Sequence, residues 1–219
     1  MFAFSSPRPA VPAALRERIR PVADAGARRL VLGEPWDELL PKGGLVRGTT
    51  VVVHAAPGAG GLTLALHLVG AASAAGHWGA VVGVDDPGVI AMQEMGVDLR
   101  RVIFVPRPRG AWAEATADLL DGVEVVVVRP PGRVALGAAR RLMARSRERG
   151  GVVVALSEPS SPWPLPADVT IEIVEATWST TSRLEGRRAL VRVSGRGAAR
   201  RPVERWLSLP DPTGRVLAS

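Results

Sequence analysis

The four consecutive valines in "VEVVVVRPP" (Val125 to Val128) constrain this chain more than any other feature. Successive side chains of a strand point to opposite faces, so a strand with one face in water alternates apolar and polar residues. An unalternating valine run instead predicts a strand covered on both faces, as in a parallel sheet between helical layers. Further strands are expected at Thr49 to Ala55, in "WGAVVGVDD", in "RVIFVP" and in "VVVALSE".

Helical patterns separate these runs. Leu62, Leu66 and Val69 share one face of the first, with Leu64 and Leu68 beside them, which predicts a largely buried helix. "PGVIAMQEMGVDL" opens with Pro87 and closes at Gly96, the usual start and stop of a short helix. "AWAEATADLLDG" is the third. "RVALGAARRLMARSRERGG" is the fourth, with Leu136, Ala139 and Met143 inward and Arg141, Arg145 and Arg149 outward. A β-α-β-α rhythm with short links predicts an α/β fold, a mostly parallel, doubly wound sheet flanked by helices. The last third changes character: "DVTIEIVEATW", "RRALVRVSG" and "VERWLSLP" alternate, as antiparallel strands at the C-terminal edge of the same sheet would. The expected organisation is an N-terminal arm (1–27, with Pro7, Pro9, Pro12 and Pro21), a core (28–210) and a C-terminal tail (211–219).

With 219 residues, 47% of them hydrophobic, the chain can bury a substantial core. The absence of cysteine excludes disulfides, thiolate metal sites and cysteine nucleophiles. "MFAFSSPRPAVPAALRERIR" lacks a secretory pattern, and the weakly polar stretch Leu62 to Gly76 is shorter than the roughly 20 residues of a bilayer span. A soluble cytoplasmic protein without membrane contact is expected. The net charge of +7 suggests a nucleic-acid or other acidic partner, although it is carried almost wholly by arginine, a bias that coding preference alone can produce.

The candidate site is "VVVHAAPGAGGLTLALHL" (Val51 to Leu68), a strand, a Gly-rich turn and a helix. That is how nucleotide-binding proteins build a phosphate site, but the working pattern is G-x-x-x-x-G-K-[ST]. The chain's one lysine, Lys42, precedes the strand, so no lysine is available to the loop. A dinucleotide site would use Gly58, Gly60 and a third glycine where Thr63 stands, with Asp85 downstream as its acid. His54, His67 and His77 lie among apolar or small residues, which favours core or helix-end roles over metal binding. Asp85 and Asp86 are read as a remnant acid pair capping the helix after Pro87 rather than as a metal site.

From about residue 30 to 209 the order of motifs resembles the RecA recombinase core, a P-loop NTPase-type fold. "GGLVRGTTVVVHAAPGAGGLTLALHL" resembles the approach to its nucleotide site. "GAVVGVDDPGVIAMQEMGVDLRRVIFVP" resembles its next strand-helix-strand, "DGVEVVVVRPP" its Walker B strand, and "VRVSGRGAARRPVERWLSL" its late hairpin. Against that pattern, the vestigial loop is Pro57, Gly58, Gly60, Gly61 and Leu62. Gly61 takes the lysine position and Leu62 the hydroxyl position, or Leu62 and Thr63 in the register one residue on. Arg129 stands at the Walker B aspartate, Asp85 at the water-activating glutamate, and Ser157 at the γ-phosphate sensor. The resemblance therefore implies a pseudo-ATPase with no catalytic residues, no cofactor and no metal, although the backbone N–H groups of Gly58 to Gly61 could still hold a lone anion at the helix start.

This erosion is similar to that of the ImuA-type proteins. That likeness implies a non-enzymatic accessory role in SOS-induced translesion synthesis. Its partners would be an inactive Y-family polymerase relative of the ImuB type, an error-prone DnaE-type polymerase, and RecA itself. Two rival readings stand beside it: a RecA-filament modulator without polymerase partners, and a nucleotide-binding protein with an unconventional P-loop completed by a neighbour's arginine. Candidate partner or DNA contacts are Trp163, set on the proline-rich link "EPSSPWPLPA", and the arginines around the late hairpin: Arg188, Arg192, Arg196, Arg200 and Arg201, with Arg187 and Arg205; a structural Trp163 folded back onto the sheet and a merely solvated arginine edge are the alternative readings. DNA binding by these would be weak, sequence-independent and salt-sensitive.

Overall fold

The computed structural model describes residues 29–180, 184–211 and 214–218; the expected N-terminal arm lies outside them. A small ribbon, β1 (Arg29–Leu30) with β2 (Leu45–Val46), brackets the one-turn helix α1 (Trp36–Leu39). The main sheet then alternates with helices: β3 (Thr50–His54), α2 (Gly61–Ala74), β4 (Gly79–Val82), α3 (Val89–Glu94), β5 (Val102–Val105), α4 (Trp112–Leu119), β6 (Val125–Val128), α5 (Leu136–Arg149) and β7 (Val152–Ser157). The late strands are β8 (Val169–Thr180), β9 (Leu184–Gly195), β10 (Val203–Ser208) and β11 (Leu217–Ala218). Among the described residues the order across the sheet is β11-β10-β9-β8-β3-β7-β6-β4-β5. Every pairing from β8–β3 to β4–β5 is parallel, and β8 through β11 pair antiparallel.

The valine runs behave as their lack of alternation requires. Val125 and Val127 pack into one core with Leu64 and Leu68 of α2, Trp36 and Leu39 of α1, and Met92 of α3. Val126 and Val128 pack into the opposite core with Trp112 and Leu119 of α4 and Ala139, Leu142 and Met143 of α5. Three details differ from expectation. Leu136 is 43% exposed rather than inward, because it starts α5 beyond the sheet and Leu142 fills that face instead. Helix α3 begins two residues after Pro87, at Val89, and the Asp85–Asp86 pair does not cap it: Asp86 Oδ1 accepts from the Gly88 N–H, and Asp85 pairs with Arg107 at 3.3 Å. Within the segment read as a C-terminal tail, Leu217 and Ala218 form β11 against β10 and Val216 is buried. No helix among the described residues is long and apolar enough to cross a membrane.

Candidate functional site: an emptied phosphate loop

The loop from Ala55 to Gly60 leaves the carboxyl end of β3, where parallel α/β sheets place their ligands. Its turn needs glycine at two points, with φ +78° at Gly58 and +110° at Gly60. Ala59 N–H donates to Ala56 O at 3.1 Å, and Leu64 N–H to Gly60 O at 3.0 Å, so the turn runs directly into α2. No side chain caps that helix. The cavity beside the loop, about 280 Å³, is bounded by Pro57, Gly58, Gly61, Arg129, Glu158 and Arg187, among others. The strand-turn-helix shape of a phosphate site is therefore present, and Gly61, Leu62 and Thr63 bring no ammonium group to it.

A cation does reach the loop from elsewhere in the chain. Arg187 of β9 is only 5% exposed. Its Nη1 donates to Gly58 O at 2.9 Å, its Nη2 to Thr63 Oγ1 at 3.2 Å, and its Nε to Leu209 O at 2.7 Å. The Trp178 ring lies 4.7 Å from its guanidinium carbon. A Cβ at Gly60 would overlap this guanidinium and displace it, and the φ of +110° itself favours glycine there. Burial pulls the Arg187 pKa below the ordinary guanidinium value. In the sequence Arg187 stands out only as a member of the basic run. The signal that marks it is phase: Arg187 shares the alternation of the buried Ala189, Val191 and Val193, so among the described side chains of β9 it is the charge on that apolar face.

The carboxyl end of β6, where the resemblance places Walker B, carries no carboxylate of its own. Arg129 follows β6 and pairs with Glu158 at 3.3 Å across the floor of the cavity. Ser157 Oγ is 3.2 Å from His54 Nδ1 and accepts from the Trp163 N–H, which commits it to holding the chain after β7. Asp85 is exposed beside Arg107. His67 is buried, its Nδ1 accepting from Trp36 Nε1 at 2.8 Å, and burial lowers its pKa to about 4. His77 lies 3.7 Å from Glu124. The described residues hold no cluster of His, Asp and Glu fit for a metal.

Two candidate contacts require correction. Trp163 is not an exposed anchor: it is 9% exposed and packs with Val153, Ala155 and Leu142 in the core under α4 and α5. The turn bridging Glu158 and Ser161 folds the proline-rich link back onto the sheet and carries the indole inward. Arg192 is not a free cation either, since it is paired with Glu172 at 3.3 Å and Glu204 at 2.7 Å across three strands. The outer face of β8–β10 carries Glu172, Glu175 and Glu204 against Arg188 and Arg192, which removes the positive stripe that the strand sequence suggested. Arg188 is exposed and lies over Trp206 at 4.9 Å, and Arg196 and Arg201 are exposed at the end of the hairpin. The Arg200 side chain lies outside the described residues.

Comparison with known proteins agrees with this fold. Residues 38–164 match the MT3502 N-terminal domain family, and the chain belongs to that family. Over 116 residues it is 38% identical to the uncharacterized protein Rv3395c of Mycobacterium tuberculosis (strain ATCC 25618 / H37Rv), a match that takes in 52% of this chain. It covers 54% of that protein, so the match spans about half the length of the curated relative. Among solved structures, the KaiC-like protein PH0186 from Pyrococcus horikoshii OT3 superposes with a TM-score of 0.66. That likeness covers 88% of this chain and 99% of the other, at 17% identity, and shows a shared RecA/KaiC-like fold.

Proposed function

We propose that this family member is a non-enzymatic accessory factor that helps assemble an error-prone translesion DNA synthesis complex after DNA damage, acting through protein contacts. The observation that carries the pseudo-ATPase part is the Arg129–Glu158 pair at the Walker B end, next to a loop whose lysine and hydroxyl positions fall on Gly61, Leu62 or Thr63. Phosphoryl transfer depends on positioning and on neutralising charge with lysine and Mg²⁺. An arginine at the metal-ligand position repels Mg²⁺, and losing lysine and aspartate together leaves no route for hydrolysis. The strand-turn-helix persists because Val51, Val53, Leu64 and Leu68 pack the core whatever the loop does.

The partners come from the resemblance to ImuA-type proteins: an inactive Y-family polymerase relative, a DnaE-type polymerase and RecA. Direct DNA contact, if made, falls to the exposed Arg188, Arg196 and Arg201. It would be non-specific and would weaken steeply with salt. The test is affinity capture of the intact protein from DNA-damaged cells with identification of the bound proteins. Recovery of both polymerase-type partners supports the reading. Recovery of RecA alone replaces it with a filament modulator. Co-purified nucleotide, together with an upward melting shift on adding ATP and Mg²⁺, overturns the pseudo-ATPase.

A further inference from the structure

We propose that Arg187 is an internal latch that holds the emptied phosphate loop in its folded shape without a ligand, so that the surface around the loop is permanently formed instead of being set by nucleotide. This rests on the reading of the loop as free of nucleotide chemistry. The first N–H groups of a helix have no intrahelical partner, and in a working phosphate loop the bound anion satisfies and orders them. Here the start of α2 has no side-chain cap, and the loop before it bends through two glycines at positive φ. Such a segment opens readily unless something ties it down.

Arg187 ties it at both ends. One guanidinium nitrogen binds the loop at Gly58 O, another binds the first turn of α2 at Thr63, and Nε binds Leu209 O, just past β10. These contacts join positions 129, 124 and 22 residues away, so one side chain links the loop to the antiparallel half of the sheet. A planar fork can serve three acceptors in different directions at once, which a lysine ammonium on a flexible stem does not match. No ion pair with a carboxylate is formed by Arg187 among the described residues; carbonyls, a hydroxyl and the Trp178 ring face it instead. A buried cation held by neutral groups is costly to keep. Here that cost is offset by the three hydrogen bonds that tie the loop, α2 and the segment after β10 together.

The experiment is hydrogen–deuterium exchange, read by mass spectrometry on the full chain, of peptides spanning 55–64. It compares the wild type, Arg187→Met, Arg187→Lys and Thr63→Val. In the wild type the hydrogen-bonded amides of this stretch, those of Ala55, Ala59 and Leu64, exchange slowly, at rates unchanged by inorganic phosphate or by ATP with Mg²⁺. Arg187→Met speeds their exchange by about tenfold or more while β4 and β6 keep their protection. Arg187→Lys fails to restore it, and Thr63→Val, which removes one acceptor at constant volume, gives a rise of a few-fold. Wild-type exchange in a folded Arg187→Met protein overturns the latch. If that variant does not fold, an unchanged loop in Thr63→Val overturns it. Protection gained by the wild type on adding ATP and Mg²⁺ instead overturns the pseudo-ATPase reading, so the two failures are distinguishable.

Discussion

Strands β6 and β9 belong to one sheet but live under different rules. All four valines of β6 are fully buried, because α2 covers one face and α4 and α5 the other. On β9, Ala189, Val191 and Val193 are buried, while Arg188 and Arg192 project from the opposite face, which no α-helix among the described residues covers. The inner parallel strands β4 and β6 thus have no room for charge anywhere along their length. The antiparallel half tolerates charge at every second position, so a charge on its buried phase stands out. Arg187 and Arg205 both lie on that phase, and Arg187, the buried one, reaches the loop.

The largest effect that sharpens this comparison is expected in the doubly covered half. Leu64→Ala empties a fully buried site between α2 and the parallel strands, and should cost about 3–4 kcal/mol in denaturant unfolding. A loss below about 1 kcal/mol would mean that this half is not the tightly packed one.

The next effect is a pH dependence from the same helix. His67 is held neutral by burial, its pKa lowered from 6.5 to about 4. The unfolded chain takes up the proton near pH 6.5 and the folded chain resists it until about 4, so this contribution is complete above pH 6.5 and is lost as the pH falls towards 4. The loss is about 3 kcal/mol over that window. His67→Gln, which still offers Trp36 an acceptor, should flatten this part of the pH profile; an unchanged slope would place its origin elsewhere.

Smaller again is Ser146→Ala. The buried Ser146 hydroxyl on α5 lies 2.7 Å from Gly151 O and 3.0 Å from Thr49 O, joining the helix to the starts of β7 and β3. Its removal should cost about 1–2 kcal/mol, read as a fall in denaturation midpoint. The smallest effect belongs to the exposed face of β8–β10, where Arg192→Ala should change stability by less than about 0.5 kcal/mol. A loss as large as that of Ser146→Ala would show that the Glu172–Arg192–Glu204 ladder is a structural network and would erase the contrast between the halves.

Much of the fold was legible because periodicity is a local property. Unalternating valines marked β6 and β7, and alternation marked β8, β9 and β10. The misreadings share one cause, which is that exposure depends on what arrives from elsewhere in the chain. Trp163 sits among prolines and reads as a loop residue until the turn at Glu158–Ser161 folds it into the core. Arg192 reads as part of a basic patch until Glu172 and Glu204 arrive from the flanking strands. Leu136 fits an apolar helix stripe but lies too far towards the start of α5 to meet the sheet.

The chain by itself determined which chemistry is missing from the loop. Lys42 is its one lysine and precedes β3, and Arg129 comes directly after the β6 valines, facts that no folding can alter. Only the tertiary structure decided what reaches the loop instead. Arg187 meets Gly58 because β8 pairs beside β3, β9 pairs beside β8, and the register shift between Ile173 and Glu175 sets the phase in which the far ends of β8 and β9 pair. Strand order and register arise from packing between distant segments, and a residue's own neighbours in sequence carry no measure of that distance.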